Sequence, residues 1–298
     1  MEASKSKQAF LLYGVGQSYI DNCAKLADYL VKYTTHDVVI YYGEGKVSTN
    51  INPRIKYVAL PPYRFIFSKE IEGDKGKLIQ SIKPYLFRDI LHTYEEVTYI
   101  DSDIQVTPNI SYINYLYPRV KDYPLANRYA WHFMLYQGKS WVCEYVSEYL
   151  GNPPQLTPTL CANFIVFNRN CIEFINEWHT LTDTLLEESI TNPEWKNRGH
   201  EESTFNALLW KKGYSDHLES YFSWISHPNG VAESYHLIQH PDKGDRHPSY
   251  GSHFILKENG WVGLMGVTPD THDRLWGFHC LKDPEQIEQV YEQIKQNF

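Results

Sequence analysis

A chain of 298 residues is long enough for one large domain or two small ones with a sizeable buried core. Its formal net charge of -8, without a window rich in Lys and Arg, excludes a surface for the nucleic-acid backbone, so a phosphorylated ligand has to be held locally by a metal and a few cations. Hydrophobic residues make up 42%, and no run approaches the roughly 20 apolar residues of a membrane span, which excludes a transmembrane helix.

The first residues, Met1 to Gln8, are polar and lack the apolar segment and small-residue cleavage site of a secretory signal, so a cytoplasmic setting is expected. Five cysteines (Cys23, Cys143, Cys161, Cys171 and Cys280) show no C-x-x-C spacing, and an odd number suits reduced thiols that fill the core. The 24 tyrosines and 8 tryptophans are a high load of rings that stack on sugars as readily as they pack a core.

In chain order, Ala9 to Tyr13 reads as a compact apolar strand, and the turn from Gly14 to Ser18 ends in a helix N-cap at Ser18. Ile20, Cys23, Ala24, Ala27, Leu30 and Val31 recur at helical spacing, which predicts a helix to about Lys32. A second strand runs from His36 to Tyr42, and strand, helix, strand in this compass implies a parallel sheet. The turn lacks the third glycine of a dinucleotide fingerprint because residue 19 is Tyr. A first βα turn is nevertheless a place where a nucleotide sits, which makes Gly14 a candidate for nucleobase or ribose contact.

Arg54 to Leu60 forms a third strand candidate, stopped by Pro61 and Pro62. The helical pattern from Lys77 to Thr93 contains Pro84, which kinks it or marks a helix start. Beyond a tyrosine-rich segment, a short strand at Leu125 to Trp131 and a helix at Trp141 to Leu150 are expected, followed by a proline-rich loop around Pro153. Then come an apolar strand from Cys161 to Asn168, a helix from Cys171 to Glu188 and a helix from Glu201 to Trp210. The stretch from Tyr214 to Trp276 is poorly periodic, a short strand precedes Cys280, and Pro284 opens a closing helix. Without a repeat or linker, a single domain over 1–298 is expected.

The stretch from Val97 to Val106 organises the rest. It reads as a buried strand of β-branched and aromatic residues carrying Asp101, Ser102 and Asp103. Side chains two residues apart on a strand share a face, and where the strand breaks into a loop both carboxylates reach one cation. Hard oxygen ligands of this kind suit Mg²⁺ or Mn²⁺ with positions left for substrate phosphates.

Taken with its neighbours, this stretch resembles a glycosyltransferase of the GT-A fold, closest in pattern to the family 8 type. The similarity is carried by the opening βαβ, Lys83-Pro84 before the metal strand, the Asp-x-Asp strand, and Asn163 in an apolar strand. Glu201 and Glu202 ahead of Phe205-Asn206, and His279 three residues before Lys282, complete it. The resemblance implies an α/β, GT-A-like (Rossmann-related) fold with a mixed, mainly parallel central sheet flanked by helices. It implies that Asp101, Asp103 and His279 bind the metal, and an imidazole ligand favours Mn²⁺ over Mg²⁺. Asp101, Ser102, Asp103, Lys83 and Lys282 would surround the diphosphate of a nucleotide-sugar donor, the lysines acting as point charges.

Metal and lysine would stabilise the nucleoside diphosphate as it leaves. Asn163 would touch the donor sugar, and Glu201 or Glu202 would stand near the reacting centre. Helix-dipole complementation accounts equally for acids at a helix start. The family pattern carries a glycine after the His and Pro-Trp after the Lys, whereas this chain has Cys280 and Asp283-Pro284. The reaction implied is retaining transfer of a hexosyl or pentosyl unit from a UDP-linked sugar to a hydroxyl of a glycan, glycoside or protein. A sugar nucleotidyltransferase and a non-catalytic carbohydrate-binding protein on the same fold are the alternatives. The first would want a basic residue in the Gly14 to Ser18 turn, which has none.

Overall fold

The computed structural model describes residues 7–47, 52–69, 73, 75–106, 108–128, 160–191, 200–213, 223–225, 253–257, 260–265 and 275–279. The expected helix at 141–150, the loop around 153, Lys282 and the closing helix lie outside these residues.

Strand β1 (Gln8–Val15) carries Phe10, Leu11 and Leu12 fully buried, an apolar run without alternation that suits a strand covered on both faces. It pairs in parallel with β2 (Asp37–Gly43) on one side and with β4 (Glu96–Ile100) on the other. The strand β3 (Ile55–Ala59) extends the parallel set beyond β2. Across β4, β7 (Leu160–Asn168) runs antiparallel, and β6 (Leu125–Arg128) pairs antiparallel with β7. The result is a six-stranded sheet in the order β3-β2-β1-β4-β7-β6, mixed and mainly parallel, as expected.

Helix α1 (Gln17–Tyr33) buries Ile20, Cys23, Leu26, Ala27, Leu30 and Val31 at helical spacing. Its start differs from the expected Ser18 cap: Gly16, at φ 93, occupies the cap position and no side chain caps it. That left-handed conformation is open to glycine and costly for other residues. Arg54 stands at the other end of the helix, and its guanidinium donates to the carbonyls of Val31 and, at 2.6 Å, Thr34.

The proline at 84 marks a start rather than a kink: α2 (Lys75–Ser81) ends before it and α3 (Lys83–Ile90) begins with it in the first turn. The expected helix from Cys171 to Glu188 is two, α4 (Ile172–Thr184) and α5 (Leu186–Thr191), parted at Leu185, followed by α6 (His200–Lys211). Phe87 of α3 stacks on Phe167 of β7 at 4.2 Å and meets the edge of Trp178 of α4 at 5.5 Å, which packs both helices on the sheet.

One further difference bears on function. Val97 to Val106 is not one strand. β4 ends at Ile100, and β5 (Ile104–Val106) belongs to a second, three-stranded sheet in the order β5-β11-β8, with β8 (Ser223–Ile225) and β11 (Leu275–His279). The remaining strands, β9 (His253–Lys257) and β10 (Gly260–Met265), pair antiparallel with each other. The irregular strands expected from Tyr214 onward are of this kind: the β9–β10 pairing shifts register between Trp261 and Gly263, and the β11–β8 pairing between Leu275 and Gly277.

Candidate functional site

The two sheets meet at Asp101-Ser102-Asp103. The Asp101 N–H continues the β4–β7 ladder by donating to the Asn163 carbonyl at 2.8 Å. The Ile104 N–H then returns to the Asp101 carbonyl at 3.1 Å, which closes a tight turn. Ser102 is buried within it, while Asp101 and Asp103 are half-buried. On the far side of the turn β5 pairs antiparallel with β11, with Ile104 opposite His279. The backbone of His279, some 175 residues later in the chain, is thus in register with the residue next to Asp103. Its side chain lies outside the described ones. Among the described side chains, no group of three or more His, Cys, Asp or Glu stands ready as a cation cage.

Behind the turn lies a buried charge cluster. Lys83, in the first turn of α3, is 5% exposed. Its ammonium sits 3.2 Å from Asp101 Oδ1 and 3.2 Å from Glu201 Oε1, and it donates to the Ala162 carbonyl at 3.1 Å. Three oxygens match the three N–H donors of an ammonium. To contact a diphosphate Lys83 would first have to release one of them. Burial pulls its pKa down, but the carboxylates of Asp101 and Glu201 outweigh that and hold it well above the ordinary lysine value.

Glu201 and Glu202 are not solvated acids at a helix start. Both are buried, at 4% and 8% exposure. Glu201 pairs with Lys83, and the Glu202 carboxylate accepts the Ala162 N–H at 2.8 Å. The turn that carries them is fastened from α4: Trp178 Nε1 donates to the Glu201 carbonyl at 2.9 Å, and Thr182 shares a 2.8 Å hydroxyl contact with Thr204. Two buried acceptors in this region, Glu201 Oε2 and Asn163 Oδ1, have no hydrogen-bond partner among the described residues. Buried acceptors are ordinarily satisfied, and exceptions cluster where a ligand or water completes the set.

Two tyrosines that motif reading passed over complete the cluster. Tyr99 is fully buried, donates its hydroxyl to Asp101 Oδ1 and lies 5.2 Å beneath the Lys83 ammonium. Tyr13 of β1 stacks on it at 5.9 Å. Burial raises both phenols above the usual tyrosine range, with Asp101 and Glu201 adding to it and, for Tyr13, Lys83 opposing it. The signal was present in the sequence: Tyr99 precedes Asp101 by two residues and so shares its strand face.

Gly14 shows a packing role. A Cβ there would lie 2.8 Å from the Ile20 backbone nitrogen and 2.8 Å from the Tyr19 carbonyl carbon, so the first turn of α1 approaches β1 only because Gly14 has no side chain. The close helix–strand packing that a third glycine supplies in a dinucleotide fingerprint is achieved here from the strand side.

Strand order, turn and flanking helices define an α/β fold with a mixed, mainly parallel central sheet. No protein-family model matches the sequence, and no curated protein matches it. Among solved structures the chain is similar to the apo form of the bifunctional glycosyltransferase WbbM, with a TM-score of 0.52 and 14% identity over 77% of this chain. The match spans only 41% of that protein, about two fifths of its length. Among the described residues no helix is long and apolar enough to cross a membrane.

Proposed function

We propose that the protein transfers a monosaccharide from a nucleoside-diphosphate sugar, of the UDP-linked class, to a hydroxyl of a glycan, glycoside or protein. The observation that carries this reading is the Asp101-Ser102-Asp103 turn at the seam of two sheets, backed by a buried cluster with two acceptors that have no partner among the described residues. The residues fit a hard divalent cation: two half-buried carboxylates on a tight turn, with the His279 backbone in register beside them. Asp101, Asp103 and His279 would hold Mn²⁺ or Mg²⁺, which when bound neutralises charge on the leaving diphosphate.

The chain's own residues do the rest. Lys83 bridges Asp101 and Glu201, at 3.2 Å from each, and so holds the two side chains together behind the turn. Asn163 Oδ1 and Glu201 Oε2 accept hydroxyls of the donor sugar and thereby orient its anomeric carbon. Ser102 lines the turn against the diphosphate, with Lys282 as a further cation for it, and Glu202 fixes the edge of β7 through the Ala162 N–H. The donor's base and ribose lie over the β1–α1 turn at Gly14. Retention of anomeric configuration follows from the family 8 resemblance.

The test is hydrolysis and binding across a panel of nucleotide-sugars with Mn²⁺ and with chelator. At a ligand concentration one hundred times its dissociation constant, the matching donor should stabilise the fold by about 2.7 kcal/mol. Replacing both carboxylates, Asp101→Asn with Asp103→Asn, should cut turnover by about 100-fold or more while the fold persists. Should no nucleotide-sugar be bound or hydrolysed with Mn²⁺ present, and the double variant leave every affinity unchanged, the transferase reading fails.

A further inference from the structure

We propose that Tyr99 is a positioning residue that sets the Asp101 carboxylate for the cation, an inference that rests on the metal reading above. Asp101 follows β4 directly and its N–H prolongs the ladder to β7, so Tyr99, two residues earlier, lies on the same side and its hydroxyl reaches the Asp101 carboxylate. Tyr99 is central in the sheet, opposite Leu11 of β1 and Ile165 of β7. Tyr13 stacks on its ring at 5.9 Å and Phe87 lies at 5.2 Å, so neighbours on two elements fix the ring plane. Packing explains the ring but not the direction of its hydroxyl.

That hydroxyl ends on Asp101 Oδ1, the same oxygen that faces the Lys83 ammonium at 3.2 Å. Two donors from the protein interior converge on one carboxylate oxygen. Asp101 is the first residue of the turn and its N–H is already tied to β7. With backbone and Oδ1 both held, the plane of the carboxylate is set before a cation arrives. Hydrogen bonds of this kind orient ligating carboxylates at metal sites, and removing one typically weakens metal affinity by about 10-fold to 100-fold.

The substitution Tyr99→Phe deletes only the hydroxyl and keeps the packed ring, and Tyr94→Phe, which deletes a buried hydroxyl away from the turn, is the control. Mn²⁺ affinity is read from the free-ion electron paramagnetic resonance signal, without nucleotide-sugar, on full-length protein whose melting transition is checked in parallel. The expected result is Mn²⁺ binding about 10-fold weaker for Tyr99→Phe and unchanged for Tyr94→Phe. Added to Asp101→Asn, Tyr99→Phe should weaken Mn²⁺ no further, because its route of action is already gone. Equal affinity in the unsubstituted protein and Tyr99→Phe overturns this proposal alone. An equal loss on the Asp101→Asn background also overturns it, since the hydroxyl would then act elsewhere. Absence of Mn²⁺ binding by the unsubstituted protein overturns the metal reading and this proposal together.

Discussion

The central sheet carries a Lys–Asp–Tyr cluster at each end, and the two are built differently. At the N-terminal ends of the strands, Asp37 opens β2, Lys56 lies in β3 and Tyr94 precedes β4. Lys56 Nζ donates to Asp37 Oδ2 at 2.6 Å and to the Tyr94 hydroxyl at 2.7 Å, and Tyr94 donates to Asp37 at 2.8 Å. The triangle is closed, with one cation for one carboxylate. At the C-terminal ends, the Lys83 ammonium faces both Asp101 and Glu201, and Glu201 Oε2 and Asn163 Oδ1 lack partners among the described residues. The same three residue types thus close into a brace with one cation for one carboxylate at one end, and set one ammonium between two carboxylates at the other. In the function proposed above, a cation at the half-buried turn would join that ammonium beside the carboxylates.

The sharpest way to break the comparison is to remove each lysine. Lys83→Met removes the ammonium that faces the buried Glu201 and the half-buried Asp101, and breaking a buried pair in this manner costs about 3–5 kcal/mol. Lys56 has 47% of its side chain exposed, so Lys56→Met should cost only about 0–1 kcal/mol. Urea denaturation of the two variants measures the difference. Equal losses would mean that the Lys83 cluster is as well solvated as the Lys56 cluster, contrary to the burial of Lys83 and Glu201.

This asymmetry explains what could be read from the residues alone. The six-stranded sheet was legible because Phe10-Leu11-Leu12 and Val97 to Ile100 are apolar runs, and helix α1 was legible because Ile20 to Val31 recur at the helical period. Asp101 and Asp103 were legible as a pair because their spacing is itself the signal. The break between β4 and β5 was not, since Ile104-Gln105-Val106 has the same strand-forming character as Val97 to Ile100 and only pairing with β11, far along the chain, draws it into another sheet. Nor could the ion pairs of Lys83 be foreseen: Lys83 and Glu201 are 118 positions apart, and a lysine beside a proline is ordinarily a solvated helix charge. Tyr99 was hidden among the 24 tyrosines, its hydroxyl distinguished only by where the strand pleat aims it.

Acid provides a second probe, because a neutral histidine is buried next in sequence to an acid of each cluster. His36 precedes Asp37 and packs between Phe10 and Tyr117, at 5.1 and 5.9 Å; burial, with Arg54 adding to it and Asp37 opposing it, lowers its pKa to about 4. His200 precedes Glu201, its Nε2 lies 2.7 Å from the Thr182 carbonyl, and burial lowers it likewise to about 4, with Lys77 adding to the fall and Thr182 and Glu201 opposing it. Between the unfolded value near 6.5 and the folded value, the unfolded chain binds the extra proton, so stability rises with pH there and falls on acidification. Each histidine should contribute a loss of about 3 kcal/mol as the pH drops from 7 to 4. Neither ring nitrogen of His36 has a partner among the described residues, so His36→Phe should be close to neutral at pH 7 and remove its share of the acid sensitivity. Denaturation midpoints followed over pH 4–7 decide it: an unchanged slope in His36→Phe would refute the assignment.

The smallest effect on stability should accompany a large effect on function, and it separates the two ends most cleanly. Asn163 is 4% exposed, and its Oδ1, without a partner among the described residues, carries the desolvation penalty of such an acceptor. Asn163→Ala removes that penalty and leaves a small cavity, and the two nearly cancel, so stability should move by less than about 1 kcal/mol. If Oδ1 accepts a donor-sugar hydroxyl, nucleotide-sugar hydrolysis should fall by about 10-fold or more, since one hydrogen bond to an uncharged group present in the transition state is worth about that factor. Tyr94→Phe at the closed end should do the reverse, lowering stability by about 1 kcal/mol through a broken hydrogen bond without altering turnover. A variant at 163 that loses stability and keeps full turnover would place Asn163 with the brace rather than with the site.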